Sequence, residues 1–160
     1  MNVTLHPLSG EDLPTMAHIR TAPEQEIFAG TVAEAFAEDP NRFDLHAISH
    51  AGTFVGLFKI DRTYRASISI ASEAALGLRS FMIDQAHQGQ GIATRAVRAL
   101  AAYLHEQYPD WEYVELTVNH TNAAALACYL KGGFQDTGVD WLEGQAGPQD
   151  FLRMELNTDG

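Results

Sequence analysis

Apolar and polar positions along the chain follow two periods, and the changes from one to the other mark out its elements. Val114, Leu116 and Val118 alternate with Glu115, Thr117 and Asn119, the two-residue period of a half-buried strand. Ala93, Val97, Leu100 and Leu104 fall on one face of a long helix that takes in Thr94 to Tyr108, and Pro109-Asp110 stops it. Ahead of that helix, the apolar run Leu78 to Ile83 lies in a strand over Leu76 to Asp84. A short helix from Asn122 to Lys131 ends at Gly132-Gly133, as glycine-capped helices do. Phe134 to Val139 and Phe151 to Leu156 read as two final strands joined by a loop through Gly144 to Pro148.

Toward the N-terminus, Asn2 to Pro7 reads as a first strand. Ser9-Gly10-Glu11-Asp12 places an acid three residues after a serine, a capping-type start that predicts a helix from Glu11 to Arg20. Pro23-Glu24-Gln25-Glu26 opens a second helix with proline and acids in its first turn. Ile27, Phe28, Val32, Ala35 and Phe36 form its apolar face, and Asp39-Pro40-Asn41 ends it. Phe43 to Ser49 and Thr53 to Asp61 flank a turn at Ala51-Gly52 as a hairpin. Tyr64 to Ala75, with Ile68 and Ile70 set among polar residues, reads either as an extension of the hairpin or as a loop over a site. The predicted fold is α/β, a mixed central sheet flanked by helices. Its order is β-α-α-β-β-β-α-β-α-β-β, in a single domain over residues 1–160.

Composition narrows the function classes. A chain of 160 residues with 46% hydrophobic content suits one substantial core. No apolar run approaches membrane-spanning length, and Met1 to His6 lacks the basic and apolar regions of a signal peptide, so a cytoplasmic location without a membrane partner is expected. The single cysteine, Cys128, excludes an internal disulfide. The seven histidines show no zinc-like pairing, so no metal is expected. A formal charge of −11 argues against nucleic acid, which needs clustered Lys and Arg. The same charge either steers a cationic substrate or serves solubility.

Two motifs bear on chemistry. Gln88-Gly89-Gln90-Gly91-Ile92-Ala93 lies at a strand-to-helix junction. Glycines there let backbone N–H groups approach a ligand, and the helix start adds free donors and a positive dipole end, together a site for phosphate. No Gly-Lys-Ser/Thr follows, so it is not a nucleotide P-loop. Arg95 and Ala96 stand where a dinucleotide fingerprint wants a third glycine. About thirty residues on, the run Val118 to Phe134 gives a strand end, Asn122 at a helix start, Tyr129 on that helix, and Gly133-Phe134. Asn122 and Tyr129 are two turns apart and share a helical face.

Taken together, these runs resemble the GNAT (GCN5-related N-acetyltransferase) superfamily. Gln88-x-x-Gly91-x-Ala93 matches its first motif, Arg/Gln-x-x-Gly-x-Gly/Ala, and Val118 to Phe134 its second; the resemblance covers residues 43 to 156. It implies acetyl-CoA as co-substrate. Backbone N–H groups of Gly89, Gln90, Gly91, Ile92, Ala93 and Thr94, behind Gln88, would hold the pyrophosphate. Met82, Ile83 and Asp84 would pair with the pantetheine arm as an added strand does. Asn122 would face that arm, and Tyr129 would lie near the sulfur and protonate the departing thiolate. The plainer alternative is that Asn122 only caps its helix and Tyr129 packs in the core. A backbone N–H near Met82 or Ile83 would serve as oxyanion donor.

The general base is less clear by resemblance. Thr117 stands where some members carry a glutamate, and Gly77 where others do. Glu115, two residues before Thr117 on the same strand face, is the candidate base, directly or through water; Glu73 or a histidine are the other carriers. Glu115 reads equally well as a solvent-facing strand residue. His87 and Cys128 read as packing residues, and Trp111 and Trp141 as core, rim or dimer contacts.

The expected function is acetyl transfer from acetyl-CoA to a small-molecule amine. Phe81 to Gly91 also looks like bacterial members that act on polyamines. With Glu24, Glu26, Glu38 and Glu73 expected near the acceptor, it points to a small cationic amine. The alternative is a non-catalytic acyl-CoA-binding sensor or interaction module. The family often dimerises, so a homodimer is the expectation on that ground.

Overall fold

The computed structural model of the protein describes residues 3–143 and 147–156. Asn2, residues 144–146 of the expected loop, and the side chains of Ile27 and Phe28 lie outside the described residues. Seven strands form one sheet: β1 (Val3–Leu8), β2 (Phe43–His50), β3 (Thr53–Asp61), β4 (Ala75–Ile83), β5 (Tyr113–Asn119), β6 (Gln135–Trp141) and β7 (Gln149–Glu155). Their spatial order is β1-β2-β3-β4-β5-β7-β6, and β4–β5 is the parallel pair among antiparallel neighbours. The helices are α1 (Leu13–Met16), α2 (Pro23–Ala29), α3 (Val32–Phe36), α4 (Tyr64–Ser67), α5 (Ile92–Gln107) and α6 (Ala123–Gly132).

Helices cover both faces of the sheet. The buried stripe of α5, namely Ile92, Ala96, Val97, Leu100 and Leu104, packs with Ile48, Phe58, Leu76, Val114 and Leu152 of the strands. On the opposite face Met16, Ile19, Val32 and Ala35 meet Ala47, Leu57 and Met82. Each large side chain so buried contributes about 1.5–3 kcal/mol.

Two N-terminal elements differ from expectation. The first predicted helix is one 3₁₀ turn, Gly10–Asp12, followed by the short α1. The second is two helices, because Gly30 takes φ +79° and Thr31 starts afresh with a capping box to Glu34. The undecided stretch 64–75 holds α4 and a loop into β4.

The feature that positions the site is a split in the sheet. β4 and β5 pair only through Ala75, Leu76 and Gly77 against Tyr113, Val114 and Glu115. Just beyond, Leu57 and Lys59 of β3 pair with Met82 and Arg79, so Ser80 and Phe81 together oppose Phe58 alone. Ser80 takes φ +53°, the left-handed region. Such a bulge bends its strand and sharpens the twist. Past this point β4 leaves β5, whose other edge stays paired to β7 along its whole length.

Candidate active site

The split opens into a cavity of about 530 Å³. Leu78 to Phe81 of β4 and Leu116 to Asn119 of β5 form two walls, and Tyr64, Trp141, Gln25 and Asn122 close the others. A second cavity of about 200 Å³ runs along Met82, Ile83, Gln88 and Ala93 on one side and Ala124, Ala125 and Cys128 on the other. Tyr129, Phe81, Gln25, Ala29 and Ala125 line both, so Tyr129 stands at the junction.

Local chemistry explains that position. Asn122 caps α6, its Oδ1 accepting from Ala125 N at 3.4 Å and also from Gln25 Nε2 at 3.3 Å, which ties α2 across the cleft. The helix cap and the cleft contact are thus made by one oxygen. α6 lies close on α5: a Cβ on Gly132 would stand 2.2 Å from Val97 Cγ1. Tyr129 is held edge-on by Phe81 and Phe134, at 6.0 and 5.6 Å between centroids. Burial raises its hydroxyl pKa above the ordinary tyrosine value, with smaller contributions from Cys128 and Tyr64.

The other expected site residues fall in three places. Gly89, Gln90 and Gly91 are exposed at the head of α5, with Thr94 half-buried in its first turn; the side chain of Ile92 is buried in the core, leaving only its backbone for a ligand. Gln88 donates from Nε2 to Ile83 O at 3.2 Å. Met82 and Asp84 are corrected: the Met82 carbonyl abuts Gly56 of β3, and Asp84 N donates to Val55 O at 2.7 Å. Met82 pairs with Leu57 of β3, and the Asp84 carbonyl accepts from His87 N at 2.8 Å, so of the three residues expected to pair with the arm only Ile83 turns its polar atoms to the open edge.

Glu115 is also corrected, from candidate base to structural ion pair. It is fully buried and lines neither cavity. Its Oε2 accepts from Arg153 Nε and lies 2.6 Å from Arg153 Nη2, and its Oε1 accepts from Ser72 N at 3.0 Å. Thr117, its strand neighbour, does line the larger cavity. Gly77, the other position where a glutamate was sought, faces a ring instead: a Cβ there would lie 2.0 Å from Tyr64 Cδ1.

Sequence reasoning missed Tyr64 and Arg79. Tyr64 is buried in the cavity wall; burial pushes its hydroxyl up to about 12, against the opposing effects of Arg79 and a hydrogen bond with Thr117. Arg79 donates from Nε to Asp61 Oδ2 at 3.1 Å and lies over the Tyr64 ring at 5.1 Å. Asp61 is fully buried and takes two further bonds from Arg42, at 3.2 and 3.0 Å. Burial alone would raise its carboxyl, but hydrogen bonds from Arg42 and Thr63 and the charge of Arg79 hold it below the usual range. The signal available in the sequence was only a base inside an apolar strand.

A sheet split between two parallel strands, with a glycine turn at a helix head beside the split and a tyrosine at its centre, defines an acyltransferase type of fold and site. The acetyltransferase (GNAT) family model matches residues 11–134, and the chain belongs to that family. A Bacillus subtilis (strain 168) relative, named as an uncharacterized N-acetyltransferase, YbbJ, is 33% identical over 85 residues. That match takes in 52% of this chain and 53% of the relative, so it spans about half of that protein's length. Among solved structures, AAC(6')-Ib in complex with paromomycin and acetyl-CoA aligns with a TM-score of 0.78 at 17% identity, over 100% of this chain and 99% of that one. A point mutant of the spermidine N-acetyltransferase SpeG from Vibrio cholerae aligns at 0.69 and 17%, over 96% and 94%. At such identities the two structures speak to the fold.

Proposed function

We propose that the protein is an N-acetyltransferase that moves the acetyl group of acetyl-CoA to a primary amine. The observation that carries this reading is Tyr129 at the meeting of two cavities, one of which runs toward the glycine turn. The turn suits the diphosphate of CoA. Gly89 and Gly91 take φ +81° and +75°, and a Cβ on either would meet nothing within 4 Å. The backbone there is open, and the first N–H groups of the sixteen-residue α5 have no partner inside the helix. The narrow cavity would take the arm, and Asn122, on the wall of the larger cavity, would stand where the arm meets the acceptor.

Acetyl-CoA supplies the thioester that makes its acetyl group transferable. The residues of this chain do the rest. A strand residue turns N–H and C=O the same way, and the Ile83 carbonyl faces Gln88 at the open edge, so the Ile83 N–H is the donor available to the acetyl oxygen. Tyr129 gives its hydroxyl proton to the departing sulfur. Glu115 has no part in proton transfer. Glu143, the one carboxylate among the described residues of the larger cavity, is exposed at its rim, so the amine enters neutral or gives its proton to solvent there.

A polyamine acceptor has less support. Aminoglycosides and spermidine belong to the names of the structural neighbours. In this chain Glu38 pairs with Lys59 and Glu73 with Arg65, Glu24 is exposed, and Glu26 borders a different surface cleft. None of the four lines the acceptor cavity.

The test is free-thiol release from acetyl-CoA with a panel of primary amines, with mass spectrometry of the products, beside calorimetric titration of CoA. Gly91→Asp should weaken CoA at least tenfold, about 1.4 kcal/mol, in a folded protein. Unchanged affinity would move CoA away from this turn. CoA binding with no turnover on any amine would favour the sensor reading instead.

A further inference from the structure

We propose that Arg79 is an anion-recognising residue of the acceptor cavity, and that the acceptor carries a carboxylate as well as its amine, as an amino acid or a short peptide does. The proposal rests on the acetyl-transfer reading of the same cavity.

The pairing of the basic residues between positions 42 and 79 singles Arg79 out. Arg42, Lys59, Arg62, Arg65 and Arg79 are five of the ten Lys and Arg in a chain of net charge −11. Four of them have a carboxylate partner each: Arg42 with Asp61, Lys59 with Glu38, Arg62 with Asp44 and Arg65 with Glu73. Arg79 has only a share of Asp61, which Arg42 already holds by two bonds. Arg79 thus shares the acid that another base holds, and among the described residues that line the cavity it is the one base, with Glu143 the one acid.

Its geometry suits a ligand. Of the five guanidinium N–H donors, the one on Nε is bound to Asp61. The terminal nitrogens have no hydrogen-bond partner among the described residues, and the side chain keeps 32% of its surface exposed. Asp61 fixes one edge and the Tyr64 ring one face, so the remaining fork is held in place rather than free to swing. A fixed fork matches a carboxylate by two parallel hydrogen bonds. Ser67 and Ser80 offer hydroxyls along the same wall. The cavity holds Arg79 and Tyr129 together in about 530 Å³, a volume within the range of small-molecule sites, so a carboxylate at the one and an amine at the other belong to one molecule. An acceptor that is only cationic would leave this guanidinium without a counter-charge and have only Glu143, among the described lining residues, as its own.

The experiment uses the whole chain, acetyl-CoA and matched acceptors: amino acids and short peptides against their carboxamides. Thiol release should show kcat/KM at least tenfold higher for the acids, with the difference in KM. In Arg79→Gln the gap should close; Arg79→Lys, which keeps charge without the fork, should retain part of it. Calorimetric titration of acid and amide onto the CoA complex reads the same preference without turnover. If no amine is acetylated but acid binding is lost in Arg79→Gln, the acetyl-transfer reading falls and the anion site stands. Equal or better use of amides by the wild type overturns the proposal, as does an equal fall in kcat for both acceptors in Arg79→Gln. Arg79-dependent preference for succinyl-CoA with a neutral amine would also overturn it, since the carboxylate would then arrive on the acyl group.

Discussion

A phenol can protonate a leaving thiolate only while it still holds its proton, and the surroundings of Tyr129 secure that. Phe81 and Phe134 enclose its ring, and burial raises its pKa. The raised pKa means that the proton is lost only above the ordinary value of about 10, so kcat should stay level from pH 7 to 10. Tyr129→Phe keeps the ring and removes the proton. It should lower kcat roughly a hundredfold, the low end for a positioned acid, with CoA affinity unchanged by calorimetry. A variant that turns over at the wild-type rate would make Tyr129 a packing residue. The amine side should behave differently. With Glu115 held by Arg153 and Ser72, kcat/KM should rise with pH along the acceptor's own ionisation. Its midpoint should move when a less basic amine is substituted. A midpoint that stays fixed across acceptors would reveal a protein base.

At the level of elements, the site exists because β4 stops pairing with β5 after three residues, and Gly77 sits at the last of them. Its missing side chain makes room for the Tyr64 ring, brought in by α4. Gly77→Ala would set a methyl group 2.0 Å from that buried ring. It should destabilise the fold by about 1–3 kcal/mol, as overpacking does, and should reshape the larger cavity. Urea denaturation and acceptor KM would register both effects; wild-type values for both would mean that Tyr64 can shift without consequence. The contrast with α5 and α6 shows what a sequence discloses. The glycine turn, the Asn122 cap and the spacing to Tyr129 are local, so their chemistry was legible in the chain. Thr31-x-x-Glu34 is equally local, and its capping box marks the break between α2 and α3. The Glu115 ion pair was not, because Arg153 comes from β7 and meets it only through strand pairing. The Ser80 bulge, the commitment of Asp84 to Val55, and the Tyr64–Arg79 wall likewise depend on which strands become neighbours.

For the whole molecule, the sheet is fastened to the C-terminal half of α5 by a polar cluster around the buried His46. His46 of β2 lies between Tyr103 and Tyr108, with Nδ1 2.6 Å from one hydroxyl and Nε2 2.9 Å from the other. Tyr108 donates its proton to Asp44 at 2.6 Å. It must therefore accept from Nε2–H, and Nδ1 accepts from Tyr103, which describes a neutral imidazole with both nitrogens used. The ring stacks on Phe58 at 5.1 Å, and Phe58 on Phe81 at 6.1 Å, so the cluster is continuous with the packing behind Tyr129. Burial pushes His46 down from 6.5 to about 4, against the opposing charge of Asp44. The sign follows from proton binding. Between these values the unfolded chain takes up a proton that the folded chain refuses. The contribution is therefore complete above pH 6.5 and is lost as pH falls toward 4. A shift of this size corresponds to about 3 kcal/mol, a sizeable part of the 5–15 kcal/mol typical of a domain. Other groups also titrate here, so the measurement is a comparison of slopes. Unfolding free energy from urea titrations at several pH values between 7.5 and 4 should fall more steeply for the wild type than for His46→Phe, by about one proton. Parallel slopes would show that His46 titrates normally in the folded protein and that the cluster does not exclude its charged form.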